Sequence, residues 1–387
     1  PTPKPTALAP QFSGCALAPC TEKMTPLLRL LATSVLTAAL LPACAAPKKT
    51  DAPQRPPLSQ RADVQNWVAD TAQRNNLDAQ WLQAQLAQAR FLPQVPRLMT
   101  PAPKTTSTAP DWASYRNRFI EPIRIRAGVQ FWNEHADTLA RAEATYGVPA
   151  SIIVGIIGVE TIYGRHMGNL RVLDTLSTLA FDFPQAHPRA AQRQAYFQGE
   201  LAQFLSTAWA QGSDPTLPLG SYAGAAGLGQ FVPPSQEKWA VDVDGDGQID
   251  LCNSAADAIG SVAHYFQAHG WISGLPVVYL PAFDPEKLDL ATLLVPDILP
   301  SFTPEQMSAL GAHPEEGMGH PGLLALIELK NGRNPPSYVV GTQNFYTITR
   351  YNWSSYYALA VYELGQAVAA ARQGTSSVPI QPRVIAP

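Results

Sequence analysis

Hydrophobic residues recur along this chain mainly at helical spacing. From 61 to 92 they fall at Val64, Trp67 and Val68, then at Leu77, Trp81, Leu82 and Leu86. That three-to-four-residue interval predicts helices with one buried face. Asn76 or Asp78 is placed to cap the second of them. A Pro-, Thr- and Ser-rich loop at 100–111 leads to a further pair, predicted over Val129–Tyr146 and Pro149–Tyr163. Gly147 stops the first and Pro149 starts the second: glycine accepts the left-handed conformation that ends a helix, and proline presets the first helical φ. Between 271 and 340 the pattern changes. Pro-Val-Val-Tyr-Leu-Pro and closely spaced turns predict a smaller region of short strands there. A strong helix returns at 355–372, and a tail over 373–387 is expected to be disordered. No internal repeat is present.

One apolar run stands apart. From Met24 a short segment with Arg29 precedes an apolar stretch, Leu30–Leu41, and then Pro42-Ala43-Cys44. This three-part layout is that of a secretory signal peptide over 24–43. Leu41-Pro42-Ala43-Cys44 resembles a bacterial lipobox, in which Cys44 would carry the lipid; an ordinary cut near Ala43 or Ala46 is the alternative. Ala45 after the cysteine fits sorting to the inner face of the outer membrane. Residues 1–23 read as an upstream leader, and 44–60 as the lipidated cysteine and a Pro-rich tether.

Composition narrows the class. At about 100–200 residues per domain, a chain of this length suggests two or three domains, or one core with large attachments. With 27 Lys+Arg against 30 Asp+Glu the charge is nearly balanced, which excludes a nucleic-acid partner of the usual basic kind. Hydrophobic residues at 46% against 15% charged allow a large core. Four cysteines, Cys15, Cys20, Cys44 and Cys252, are too few for a disulfide framework. Cys252 is expected to be a lone, buried thiol.

Four segments carry candidate chemistry. In SIIVGIIGVETIYGR (151–165), Ile152, Ile153, Ile156 and Ile157 form an apolar stripe on which Glu160 falls. Burial raises a carboxyl pKa, and a raised pKa suits a general acid. Gly155 and Gly158 would admit a neighbouring backbone, and Gly164 would end the helix. A buried glutamate paired with Arg165 is the structural alternative, and by pattern alone the stronger one. GSYAGAAGLGQFVPPS (220–235) lets backbone, Tyr222, Gln230 and Phe231 approach a ligand, and no phosphate-loop Lys follows it. Asp242, Asp244, Asp246, Gln248 and Asp250 hold EF-hand positions 1, 3, 5, 7 and 9, with Gly247 at 6. Position 12 is Asn253, so Asp257 is the nearest closing carboxylate and a structural Ca2+ is expected. Finally, FYTITRYNWSSYY gathers Tyr346, Tyr351, Asn352, Trp353, Tyr356 and Tyr357, aromatic faces suited to sugar rings.

In this order, IIVGIIGVETIYGRHMGNLRVLDTLSTLAFDFP, GSYAGAAGLGQFVPPS, AVDVDGDGQIDL, DAIGSVAHYFQAHGW and NFYTITRYNWSSYYALAVYELGQAVA resemble the lytic murein transglycosylase B family, glycoside hydrolase family 103. The likeness spans about 61–372. It implies a mainly α (α+β) fold. A lysozyme-like catalytic core (144–270) would sit beside a helical domain (61–143, completed by 341–372) and a small β-containing region (271–340). It implies cleavage of the MurNAc-β-1,4-GlcNAc bond of peptidoglycan with 1,6-anhydro-MurNAc ends, and Glu160 as acid and then base. It places Tyr115, Ser221, Gln230, Tyr265, Tyr351, Asn352 and Tyr357 along the cleft. It gives Asp242, Asp244, Asp246, Gln248 and Asp257 to Ca2+, with no organic cofactor. A periplasmic lipoprotein acting as a monomer is expected. Ala226 and Val232 stand where the family commonly has Met, which would widen a subsite. A muramidase, a non-catalytic peptidoglycan-binding lipoprotein and a calcium-regulated adaptor are the competing readings.

Overall fold

The computed structural model describes residues 56–100, 110–376 and 380–385. The leader, the signal segment, Cys44 and most of the tether lie outside the described residues. Helices α1 (Ala62–Asn75), α2 (Ala79–Ala87) and α3 (Gln94–Met99) come first. Asn76 ends α1 at φ 53°, and the Asp78 carboxylate caps α2 by accepting from the Trp81 amide at 2.8 Å. The two cap candidates thus serve different helices.

Then come α4 (Trp112–Arg116), α5 (Pro122–Glu134) and α6 (Ala136–Tyr146). The single helix predicted over Val129–Tyr146 is therefore two helices meeting at His135. Pro122 opens α5 where the Glu121 carboxylate accepts from the Ile123 and Arg124 amides. Gly147 closes α6 in the left-handed conformation, and α7 (Ala150–Thr161) begins directly after Pro149.

The apolar character of α7 is not confined to a stripe. Ten of its twelve residues are buried, and only Ser151 and Glu160 are partly exposed. A helix apolar on all sides is one enclosed by its neighbours. Each fully buried isoleucine contributes about 1.5–3 kcal/mol. The C-terminal helix Ser355–Arg372 lies in backbone contact with α7. A methyl group at Gly155 would strike the Val361 carbonyl, and one at Gly365 the Ser151 carbonyl.

A second core joins α1–α3 to α8 (Val172–Phe181) and α9 (Ala190–Gln211). Val64, Trp67, Leu82 and Leu86 bury there among Leu173, Leu176, Phe197 and Leu201. Arg61 adds an ion pair to Asp182 at 3.0 Å. This departs from the expected 61–143 domain: only its later part, α4–α6, shares a core with the C-terminal helix. Periodicity shows that a face is buried, not what buries it.

The glycine-rich segment runs from the antiparallel pair β1 (Leu170–Arg171) and β2 (Leu219–Gly220) to α10 (Pro233–Trp239). The acidic loop follows, and Ser254 caps α11 (Ala255–Ala268) by accepting from the Asp257 amide at 3.2 Å. Cys252 is partly buried and disulfide-bonded, so the expectation of a lone thiol fails.

A third, smaller core is built on the antiparallel order β3 (Val278–Tyr279), β7 (Asn334–Gly341), β6 (Ala325–Asn331). β4 (Pro281–Phe283) pairs with β5 (Ala312–Pro314), and α12 (Leu290–Leu293) and α13 (Pro304–Ala309) lie between them in sequence. After α14 (Gln343–Thr349) and α15 (Ser355–Arg372), β8 (Arg383–Val384) pairs with β7. Arg383 also holds Glu315 at 2.8 Å. The described end of the tail is thus a strand, contrary to the expected disorder; it satisfies backbone groups that an open sheet edge leaves unpaired.

Candidate active site

Glu160 is the penultimate residue of α7, at the rim of the main core. Among the described residues no ion pair reaches it, so the alternative of a salt bridge to Arg165 is not what the fold builds. Its neighbour is instead Tyr357 on α15, whose hydroxyl donates to Glu160 Oε1 at 2.5 Å. Burial pushes the Glu160 carboxyl up to about 7, against the lowering effect of that hydrogen bond. Tyr115, Tyr351 and Tyr357 are each raised, chiefly by burial and next by the nearby Glu160 charge. Three tyrosines from α4, the α14–α15 turn and α15 therefore surround one carboxyl. Among the described residues no other carboxylate contributes to that rise.

The backbone beyond Glu160 is unusual. Ile162, Tyr163 and Gly164 follow one another at φ 51°, 57° and 86°. Left-handed non-glycine residues cost on the order of 1–3 kcal/mol each. The turn is tied to the glycine-rich segment by Thr161, whose hydroxyl donates to the Leu228 carbonyl at 2.9 Å and accepts from the Gly164 amide at 3.0 Å. Thr161 was not singled out by sequence; a hydroxyl next to the glutamate of an otherwise apolar helix was the available signal.

The expected cleft residues divide into two groups. Tyr115 and Tyr357 stand around Glu160, and Asn352 is exposed on the turn that carries Tyr351. The others spend polar atoms on the scaffold. Ser221 Oγ accepts from the Ala223 and Ala225 amides at 3.3 and 3.1 Å. Gln230, at φ 52°, donates from Nε2 to the Met167 and Gly227 carbonyls at 3.1 and 3.0 Å. Both amide hydrogens are thus used internally, and Oε1 remains as an acceptor. The Tyr351 hydroxyl donates to the Gly229 carbonyl. Tyr265 is buried, donates to the Arg350 carbonyl at 2.7 Å and packs edge-on against Tyr351. It packs behind Tyr351.

Ala226 lines a cavity of about 150 Å³ with Val172, Phe204, Ile249 and Leu251. In the acidic loop, Asp242, Asp244 and Asp257 bring oxygens within 4.8 Å of one another. The Asp257 carboxylate also accepts from the Val243 and Asp250 amides, each at 2.8 Å. Asp246 lies outside that triad and accepts from the Gln248 amide at 2.8 Å. Asp250 turns to the Cys252 and Asn253 amides. The all-oxygen donor set fits a hard cation such as Ca2+.

An enclosed helix ending in one raised carboxyl, walled by a small-residue loop and tyrosines, can supply a general acid near neutral pH. Residues 59–366 match the family described as "Transglycosylase SLT domain", and the chain belongs to that family, an enzyme class with a lysozyme-like, mainly helical fold. It is 43% identical to membrane-bound lytic murein transglycosylase B of Escherichia coli K12 over 316 residues, 80% of this chain and 83% of that protein. The Escherichia coli lytic transglycosylase Slt35, solved in complex with calcium, matches with a TM-score of 0.70 at 42% identity, covering 81% of this chain and 95% of that one. SltB1, a soluble lytic transglycosylase of Pseudomonas aeruginosa, matches at 0.71 and 40%, covering 80% and 99%. SltB3 of the same organism, in complex with NAG-anhNAM-pentapeptide, matches at 0.65 and 28%, covering 82% and 81%.

Proposed function

We propose that this chain is a lytic transglycosylase that cleaves the MurNAc-β-1,4-GlcNAc bond of peptidoglycan and leaves 1,6-anhydro-MurNAc ends. The observation that carries the reading is the Glu160 carboxyl at the end of an enclosed helix, held by Tyr357 and raised to about 7, with no second carboxylate among the described residues contributing to that rise. A glycosidase that activates water with a base needs two carboxylates. One suffices if it acts twice. Protonated Glu160 gives its proton to the leaving O4 as the C1–O4 bond breaks. The carboxylate then takes the proton of the MurNAc C6 hydroxyl as O6 bonds to C1. Atoms balance without water, and Glu160 ends protonated as it began.

Tyr357 orients the carboxyl through its hydrogen bond. Tyr115, Tyr351 and Asn352 contact the glycan, the Gln230 carbonyl oxygen accepts from it, and Ser221 and Tyr265 hold the walls. Asp242, Asp244 and Asp257 hold a structural Ca2+, with Asp246 and Gln248 next to them in the loop. The signal-like segment and Cys44 support a periplasmic lipoprotein on the inner face of the outer membrane, working as a monomer. The membrane-bound designation of the Escherichia coli relative supports that placement.

The test is mass analysis of products from purified sacculi, wild type beside Glu160→Gln. Products lighter by one water than hydrolysis products, absent with the variant, are expected. Hydrolysed ends would make the protein a muramidase. No products from a folded wild type would make it a binding protein.

A further inference from the structure

The turn that follows Glu160 needs something to hold it. Three successive left-handed residues, two of them Ile and Tyr, do not persist without tertiary support. The support comes from the turn's own second residue. The Tyr163 ring folds back against the helix it terminates and packs on Phe131 of α5, ring centroids 5.2 Å apart. Its hydroxyl lies over two glycines at once, Gly128 of α5 and Gly158 of α7. A methyl group at either glycine would occupy the hydroxyl's place. Gly158 was expected to admit a neighbouring backbone; what fills its space is this side chain, with Leu364 beside it. The hydroxyl is buried and has no hydrogen-bond partner, as is Arg124 Nε, and the Arg124 charge acts on the tyrosine. Tyr163 is therefore seated by shape. The ring tip is a wedge between α5 and α7, two residues along α7 from Glu160.

We propose that Tyr163 is the positioning residue of this site: seated in the Gly128–Gly158 niche, it locks the left-handed turn and so fixes the direction in which α7 delivers the Glu160 carboxyl. It touches neither substrate nor the reacting atoms. The proposal rests on Glu160 as the acting carboxyl, so its test carries a readout independent of turnover.

The experiment compares Tyr163→Phe, Tyr163→Ala and Gly128→Ala, in the full chain, by kinetics on sacculi and by carbon-13 NMR titration of the Glu160 carboxyl. Tyr163→Phe keeps the ring on Phe131 and empties only the tip of the niche, so it should lower kcat less than Tyr163→Ala does. Tyr163→Ala should lower kcat at least tenfold with KM within threefold. It should also move the Glu160 titration down from about 7, toward the ordinary glutamate range, as the released turn lets water reach it. Gly128→Ala leaves Tyr163 intact and displaces it, so it should move both readouts the same way if the alanine variant does not fold. Unchanged titration and kcat in folded Tyr163→Ala or Gly128→Ala overturn the proposal. If wild type makes no products but the titration shifts as stated, the positioning role stands and the transglycosylase reading falls.

Discussion

Glu160 and Asp257 are two of four carboxyls that burial raises among the described residues, and they are built for opposite ends. Glu160 closes an apolar helix, receives one hydrogen bond from a tyrosine, and among the described residues no other carboxylate contributes to its rise. Asp257 lies at the first turn of α11, accepts from two backbone amides, and is pushed up by burial and then by Asp244 and Asp242. A lone carboxyl near neutrality exchanges a proton readily. A carboxylate crowded by others is relieved by a cation. Residue type and burial are shared; the second charge decides which chemistry each can do.

The sharpest way to break that contrast is Glu160→Gln. Losing the proton donor should lower turnover by at least about a hundredfold, while binding to sacculi, measured by pelleting, persists. Asp257→Asn should act on stability instead. It should abolish the rise in melting temperature that calcium gives the wild type, a gain of about 2.7 kcal/mol at a hundred times the dissociation constant, and leave residual turnover at low temperature. A melt that calcium never moved would remove the metal assignment.

Stability against pH separates the two further. A carboxyl whose folded pKa lies above its unfolded value costs stability as pH rises. For Glu160 the loss begins near the unfolded 4.5 and is complete above about 7. Glu160→Gln should therefore match the wild type at pH 4 and exceed it by up to about 3 kcal/mol at pH 8, read from denaturant midpoints. Equal stability at both would show that the carboxyl is not buried in solution. Tyr357→Phe should shift the alkaline limb of turnover upward, because its hydrogen bond holds the Glu160 pKa down, with a loss in kcat of about tenfold. Smallest of all, Asp246→Asn should weaken calcium affinity less than Asp242→Asn, since Asp246 stands outside the triad; isothermal titration decides the order.

Local signals were legible where chemistry is local. Gly147 and Pro149 mark the gap between α6 and α7 because left-handed and proline-locked φ values belong to single residues. The acidic spacing marks its loop because ligand convergence is set within one turn. The break at His135 was missed because the sequence around it keeps its helical apolar spacing through the junction. Nothing in the sequence signals that the Tyr265 hydroxyl donates to the Arg350 carbonyl, because an aromatic carries no mark of which side it faces.

By itself the sequence determined that Glu160 lies on an apolar helix, that acidic residues ring a loop, and that aromatic residues gather before the last helix. Those are properties of spacing along one strand of chain. Only the tertiary structure decided that α1–α3 pack on α8 and α9, that α7 is enclosed on every side, and that Ser221 and Gln230 spend their polar atoms on the backbone. It alone placed Tyr357 on Glu160 and Tyr163 in its niche of glycines. The reason is physical: burial and hydrogen-bond partners belong to pairs of surfaces, and a surface far away in sequence is chosen by the shape of the whole core.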